Sequence, residues 1–269
     1  MNPVVLFRSN RSWEQQEEMR VAAKHFKVVE CRSEVPENSL VVARYSALPF
    51  YGELEKDLKH NGSKLLNSSA EHNWISSFDY YEAVKDYTPR TWDDSNFYKC
   101  DIDGPFVLKG RTNSRKAQWN KRMFAKDRSE VYDIASELAN DPLIGPQGII
   151  YREYVPLKTF EVCPLSGMPF TNEWRFFFYQ GHPLSQSYYW TCASDHAIAQ
   201  ADLPSDAFHL AYKVADIAKR HTNFFVLDIA EKEEGGWILI EINDGQMAGL
   251  PGLPCVAQEE MYSTLKSYL

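Results

Sequence analysis

Two segments in the last fifth of the chain, "FFVLDIA" and "LIEIND", carry residues whose types and spacing could do chemistry: Asp228 in the first, Glu241, Asn243 and Asp244 in the second. Successive side chains of a strand point to opposite faces, so Glu241 and Asn243, two positions apart, share one face. The Gly235-Gly236 pair between the segments would fold them into a hairpin and bring Asp228 alongside. Two carboxylates and an amide oxygen suit a hard cation such as Mg²⁺, which takes few protein ligands and keeps positions for water and nucleotide phosphates. Acidic residues at strand ends are more commonly solvated, and Asp-Gly is a common turn signal. Asp228 sits inside an apolar run, however, where an unpartnered buried charge is costly, and this favours the metal reading.

The other polar candidates are basic. Lys109 ends the apolar run "PFVLKG", and Arg111, Arg115 and Lys116 follow it in "GRTNSRKAQW". Such a loop can clamp phosphates or an acidic substrate, and it can equally be a solvated surface loop; both readings stand. Gly245 and Gly249 in "DGQMAGLPG" would let the backbone approach a ligand and donate N–H groups to an oxyanion, although ordinary turn formation also accounts for them. Arg8 and Arg44 close two predicted strands, where they would meet an acidic substrate or simply face solvent.

Competing chemistries lack their spacing. There is no HxxxH or HExxH, no GxSxG, GxGxxG or P-loop pattern, and no CxxC pair, which argues against a zinc enzyme, a hydrolase elbow, a dinucleotide fold and a Walker loop. The scattered cysteines, Cys31, Cys100, Cys163, Cys192 and Cys255, fit unpaired thiols in a reducing compartment. The opening residues hold only a short apolar run before charge returns, so no signal peptide or membrane span is expected and the cytoplasm is the default. A net charge of -8 argues against a nucleic-acid partner. The aromatic runs "WRFFFY" and "SYYW" read as core at strand spacing rather than as a base-stacking surface.

An α/β framework must position these residues. "PVVLFRS", "FKVVECRS" and "SLVVARYS" read as strands, with a helix after the first that starts at the N-cap Ser12, and "GELEKDLKHNGSKLLNSS" supplies a helix, a Gly62 stop and a short strand. Residues 1–94 form a small N-terminal α/β domain on this reading. Residues 95–150 hold the strand ending in Lys109 and a later helix, and residues 151–269 hold the rest. In the last region "NEWRFFFYQGHPLSQSYYW" reads as a hairpin turning at Gln180 to Pro183, and "SDAFHLAYKVADIAKRH" as a helix capped by Ser205.

The order of these parts resembles the ATP-grasp superfamily, and the smaller features resemble its R-to-K clade, for which peptide or protein ligation has been proposed. The residues that carry the resemblance are "FVLKG", "YREYVPL", "NEWRFFF", "VLDIA" and "LIEIND", five short matches in the family's order. It implies an α/β (α+β) fold in which two subdomains clasp ATP behind a small N-terminal pre-ATP-grasp domain. By the same resemblance Lys109 would contact the α-phosphate or adenine edge, Glu153, Tyr154 and Val155 would bind adenine, and Arg175 would face the transferring phosphoryl group. Asp228 and Glu241 would hold one Mg²⁺, and Glu241 and Asn243 a second. Arg111 and Lys116 of the basic loop would join the nucleotide contacts. The family's lysine after an Asp is missing, since Tyr80 follows Asp79 here.

The resemblance implies an ATP-dependent, ADP-forming carboxylate–amine ligase that works through an acyl phosphate. Its partners would be a small-molecule, peptide or protein carboxylate and an amine acceptor, with no membrane or nucleic acid. An ATP-binding assembly chaperone of the same fold would carry the same residues, so the motifs leave that alternative standing.

Overall fold

In the computed structural model, residues 1–8, 12–250 and 256–269 are described; Cys255 and the Pro251–Gly252 end of the glycine loop lie outside them. The N-terminal segment alternates β1 (Asn2–Leu6), α1 (Trp13–Ala22), β2 (Lys27–Val29), β3 (Ser39–Ala43), α2 (Tyr51–His60) and β4 (Lys64–Leu65), followed by α3 (Ser69–Ser76) and α4 (Tyr80–Val84). Its four strands run parallel in the order β2-β1-β3-β4. A parallel sheet is covered on both faces, which explains why "VVLF" and "LVVA" are unbroken apolar runs. Val4, Leu6 and Val41 pack against Leu54 and Leu58 of α2, while Val5, Phe7 and Val42 face Val21 and Ala22 of α1. As expected, Ser12 caps α1, in a capping box completed by Gln15; Ser68 and Glu71 do the same for α3.

The middle segment adds β5 (Thr91–Asp93), β6 (Phe106–Gly110), α5 (Trp119–Arg122), β7 (Phe124–Ala125), α6 (Arg128–Ala139) and β8 (Ile149–Glu153). These strands form an antiparallel sheet in the order β5-β8-β6-β7. The sheet therefore starts at residue 91 and ends at residue 153, and both limits cross the breaks expected at 94 and 150. Hydrogen bonding across the sheet groups β5 and β8 with β6, although they are far apart in sequence. Phe106 and Leu108 of β6 pack with Val131, Ile134 and Leu138 of α6. Strand alternation then turns Val107 and Lys109 to the opposite face.

The last segment starts with a two-stranded pair, β9 (Thr159–Val162) and β10 (Pro169–Thr171). It continues through β11 (Glu173–Tyr179), β12 (His182–Tyr188), α7 (Asp195–Ile198), α8 (Ser205–Ala218), β13 (Phe224–Glu231), β14 (Trp237–Asp244) and α9 (Val256–Tyr268). The main sheet is antiparallel, ordered β12-β11-β13-β14. Gln180 and Gly181 both have positive φ, 49° and 82°, as a tight two-residue hairpin turn demands. Pro204, with extended backbone, precedes the first turn of α8, so Ser205 is its first residue rather than its cap.

Phe225, Leu227 and Ile229 of β13 pack on Ala211, Val214 and Ala215 of α8. The alternate residues Phe224 and Val226 share a cluster with Val5 and Phe7 of β1 and with Met261, Tyr262 and Leu265 of α9. One face of the last sheet thus shares its core with the N-terminal sheet. Asp228 belongs by alternation to this second face. Among the described residues no helix is long and apolar enough to cross a membrane.

Arg44, at the end of β3, is 4% exposed and meets neither substrate nor solvent. Its Nε donates to Glu18 of α1 at 2.6 Å and its Nη2 to the Ala248 carbonyl at 2.8 Å. Nη1 donates to the Gly245 carbonyl, and Glu18 also accepts from the Tyr262 hydroxyl of α9 at 2.6 Å. Arg44 therefore fastens the loop after β14 to the N-terminal domain. Removing one partner of such a pair leaves a buried charge uncompensated, so Arg44→Met should lower the unfolding free energy by roughly 3–5 kcal/mol. Urea denaturation followed by tryptophan fluorescence checks this, and a loss below about 1 kcal/mol, the scale of an exposed pair, would show that the pin is not structural.

Candidate functional site

Three neighbouring strands place three charged side chains in one row, because Arg175 of β11 is paired in register with Asp228 of β13, and Asp228 with Glu241 of β14. A register shift follows: Ile229 pairs with Leu239, which leaves Ile240 as an extra residue in β14. The bulge changes the parity of the strand, so Leu239 and Ile242 both reach the α8 core while Glu241 and Asn243 stay on the face of Asp228. Asp228 is fully buried, and its two oxygens accept from Nε and Nη2 of Arg175, each at 2.7 Å. Asn243 Nδ2 lies 3.3 Å from Asp228 Oδ2 and 3.0 Å from Glu241 Oε1. Glu241 also pairs with Lys109, which β6 brings from the middle sheet.

Burial sets the electrostatics of this row. It raises the Asp228 pKa, and Arg175 opposes that without cancelling it. Burial acts in the same direction on Glu241, but Lys109 and Lys116 overcome it and hold this carboxyl well below its ordinary range. Lys116 crosses the Tyr189 ring at 4.2 Å and donates to its hydroxyl. Burial disfavours the Lys116 charge, yet the oxygens of Tyr189, Glu173 and Glu241 raise its pKa.

Two cavities meet at these side chains. One, of about 840 Å³, is walled mainly by apolar groups including Val107, Met123, Tyr154, Val155 and Ile240. The other, of about 940 Å³, is polar and exposes Arg175, Asn243, Asp244, Tyr189 and Gly249. Lys109, Ser114, Lys116 and Glu241 line both and so form the passage between them. Ser46, His72 and Ser76 give the polar cavity a wall from the N-terminal domain.

The structure separates the expected residues into groups. Lys109, Lys116, Glu153, Tyr154, Val155 and Glu241 line the apolar cavity, and Arg175 and Asn243 the polar one. Asp228 adjoins Glu241 and Asn243 but lies behind Arg175, in neither cavity wall. Arg111 and Arg115 are not in the walls either. Arg111 turns to Asp93 of β5 at 3.5 Å, and Arg115 to the buried Asp141 at 2.7 Å, so the basic loop is divided between a site residue and pairs outside the cavities. The Tyr154 N–H, expected to face a nucleobase, donates to the Pro105 carbonyl at 3.0 Å. The Gly245 N–H bonds the Phe224 carbonyl at 3.0 Å, and a Cβ on Gly245 would lie 2.7 Å from the Phe224 ring. Gly245 is therefore required by close packing and not by a ligand. Gly249 does line the polar cavity, with its carbonyl 2.7 Å from Arg175 Nη1.

An apolar cavity opens past two lysines onto a polar one where two sheets meet, and the chain that builds this junction is an ATP-grasp protein. The chain belongs to family 3 of the R-to-K clade of ATP-grasp domains, which matches residues 94–265. The structure is similar to a RimK domain ATP-grasp protein from Sphaerobacter thermophilus DSM 20745, with a TM-score of 0.60 and 12% identity over 97% of this chain and 98% of that one. It is similar to D-alanine–D-alanine ligase from Bacillus anthracis complexed with ATP, with a TM-score of 0.59 and 11% identity over 100% of this chain and 99% of that one. The ATP-grasp ligase PsnB complexed with precursor peptide PsnA2 and AMPPNP gives a TM-score of 0.58 and 10% identity over 99% and 95%. These likenesses are of fold. No curated protein sequence matches the chain.

Several site residues carry no motif of their own. Arg152 of β8 is buried and donates to the Ile240 carbonyl at the bulge. Glu173 of β11 is 5% exposed in the apolar cavity wall; the sequence reading missed it, and strand alternation from Arg175 is the signal that could have found it. Burial pushes the Glu173 pKa up to about 7, with Asp228 and Glu241 adding to the rise and Lys116 and Arg175 opposing it. The native state thus retains a proton that the unfolded chain releases near its ordinary value of 4.5, and stability falls as pH rises from there through 7. Glu173→Gln should nearly match the parent protein at pH 4 and exceed its stability at pH 8 by up to roughly 3 kcal/mol. Urea midpoints at the two pH values, without divalent cations, measure this; an equal difference at both would show that Glu173 does not titrate with folding.

Proposed function

We propose that this protein is an ATP-dependent ligase that joins a carboxylate to an amine, releasing ADP and phosphate. The observation that supports it best is the junction of the two cavities. The apolar cavity has the wall chemistry for a nucleobase, with Val107, Met123 and Ile240 as apolar surfaces and the Glu153–Val155 segment as a polar edge. Since the Tyr154 N–H is already bonded to Pro105, the neighbouring Val155 would supply the backbone donor. Lys109 and Lys116 at the passage would hold the phosphates, directing the terminal one into the polar cavity beside Arg175.

Oxygen donors suited to Mg²⁺ adjoin the passage: Glu241 is ionised there, and Asn243, whose amide nitrogen faces both carboxylates in this structure, would turn its oxygen to the ion. Asp228 would join them once Arg175 exchanged its carboxylate for the phosphoryl group. Bound there, Mg²⁺ would neutralise phosphate charge. In the reaction a substrate carboxylate oxygen would attack the γ-phosphorus as the bond to ADP breaks, giving an acyl phosphate. The amine nitrogen would then attack the acyl carbon, and phosphate would leave as the nitrogen loses its proton. Arg175 would stabilise the charge that develops during the first transfer. PsnB, a ligase of similar fold, is complexed with a precursor peptide, and a peptide or protein carboxylate is the substrate class proposed for this chain alongside small acids.

Glu241→Gln removes an anionic oxygen from the passage without changing its shape. Mg²⁺-dependent binding of a non-hydrolysable ATP analogue, measured by isothermal titration, should weaken by about tenfold or more, and circular dichroism should show an intact fold. A screen of carboxylates with amines for ADP release then tests turnover. Absence of nucleotide binding to the parent protein, with or without Mg²⁺, would sink the ligase reading.

A further inference from the structure

Among the polar-cavity side chains that neither the nucleotide nor the phosphoryl transfer uses, His72 is the titratable one from the N-terminal segment. His72 of α3 is 2% exposed, and it lines this cavity from the N-terminal domain. Its Nδ1 lies 2.9 Å from Asp244 Oδ2, and its ring stacks on Tyr51 with centroids 4.1 Å apart and planes 6° apart. Asp244 is itself held: its Oδ1 accepts from Asn67 Nδ2 at 2.8 Å and from the Gln246 N–H at 2.9 Å. The imidazole is thereby fixed on one face and at one nitrogen. The other nitrogen, Nε2, is buried and has no hydrogen-bond partner among the described residues.

With its Nδ1–H donated to the Asp244 carboxylate, the neutral form of the ring presents a free lone pair at Nε2. A structural brace would explain the Nδ1 bond and the stacking. It does not explain a buried acceptor left unsatisfied on a cavity wall, because native structures satisfy such groups with protein, water or ligand. Position narrows the choice of ligand. Asp244 lies three residues beyond Glu241 on β14, roughly 10 Å further along the strand from the passage. The cationic groups Lys109, Lys116 and Arg175 occupy the passage side, which suits phosphate and carboxylate, whereas His72 offers a lone pair beside a carboxylate. That is a site for an N–H donor.

We infer that His72 and Asp244 form the acceptor-amine subsite, with Nε2 receiving an N–H of the incoming primary amine. The inference rests on the ligase reading for its place in a reaction, but the site can be probed without nucleotide. Protein labelled with ¹⁵N at histidine is examined by long-range ¹⁵N–¹H correlation, and the His72 signals are assigned by their loss in His72→Gln or His72→Asn. The expected spectrum shows Nδ1 protonated and Nε2 bare. Methylammonium chloride should then move the Nε2 signal upfield in a saturable way and leave the other histidines in place, whereas tetramethylammonium, with no N–H, should not. A proton on Nε2, or the same response to both cations, overturns the subsite. Nucleotide titration on the same sample separates the two readings, since its failure beside an intact methylammonium response removes the ligase reading alone.

Discussion

A carboxylate shut away from water has to be neutralised where it stands, and Asp228 is neutralised by both arms of Arg175 on the adjacent strand. Much of the site is arranged around that pair. Glu241 extends the row by one strand and cannot draw on the same guanidinium, so its counter-charge comes from Lys109 in a different sheet. Asn243 fills the space between the two carboxylates with an amide that donates to both. A buried ion pair is weak evidence for stability, because desolvation offsets much of the attraction. Here its consequence is geometric: the charges hold two sheets together at the point where the cavities join.

The same economy of partners explains the N-terminal domain. Its parallel sheet shares a hydrophobic cluster with the last antiparallel sheet, so the two cannot separate without exposing Phe177, Phe224 and Val226. Arg44 then ties the loop after β14 to α1 and α9 through two carbonyls and Glu18. Asn67 does the same beside β13, with its side chain 2.6 Å from the Phe224 carbonyl and 2.8 Å from Asp244. These contacts fix α3, and with it the His72 ring, against the end of the strand that carries Glu241 and Asn243. The far wall of the polar cavity is therefore as firmly placed as the near one.

The hairpins, the cap of α1 and the polar face of β14 were legible because each depends on short-range rules. Alternation places Glu241 with Asn243, Gly235 and Gly236 supply the positive φ of the turn, and Ser12 with Gln15 closes a capping box. The bulge at Ile240 left no local trace, yet it lets Leu239 and Ile242 face the core together. Three arginines show a further limit. Arg44, Arg111 and Arg115 look alike in sequence as basic residues at strand ends or in a loop, and their roles differ according to which acid lies nearby: Glu18, Asp93 or Asp141.

The sequence by itself determined the family and drew out the candidate residues for nucleotide and metal, since those depend on residue type, order and a spacing of two along a strand. Tertiary structure decided which of them face a cavity. Lys116 entered it while Arg111 and Arg115 turned away, Asp228 came to lie behind Arg175, and His72 met Asp244 across 172 residues. Each outcome depends on a partner distant in the chain, and the strength of a buried charge or lone pair is set by that partner and by the exclusion of water, neither of which a local pattern contains.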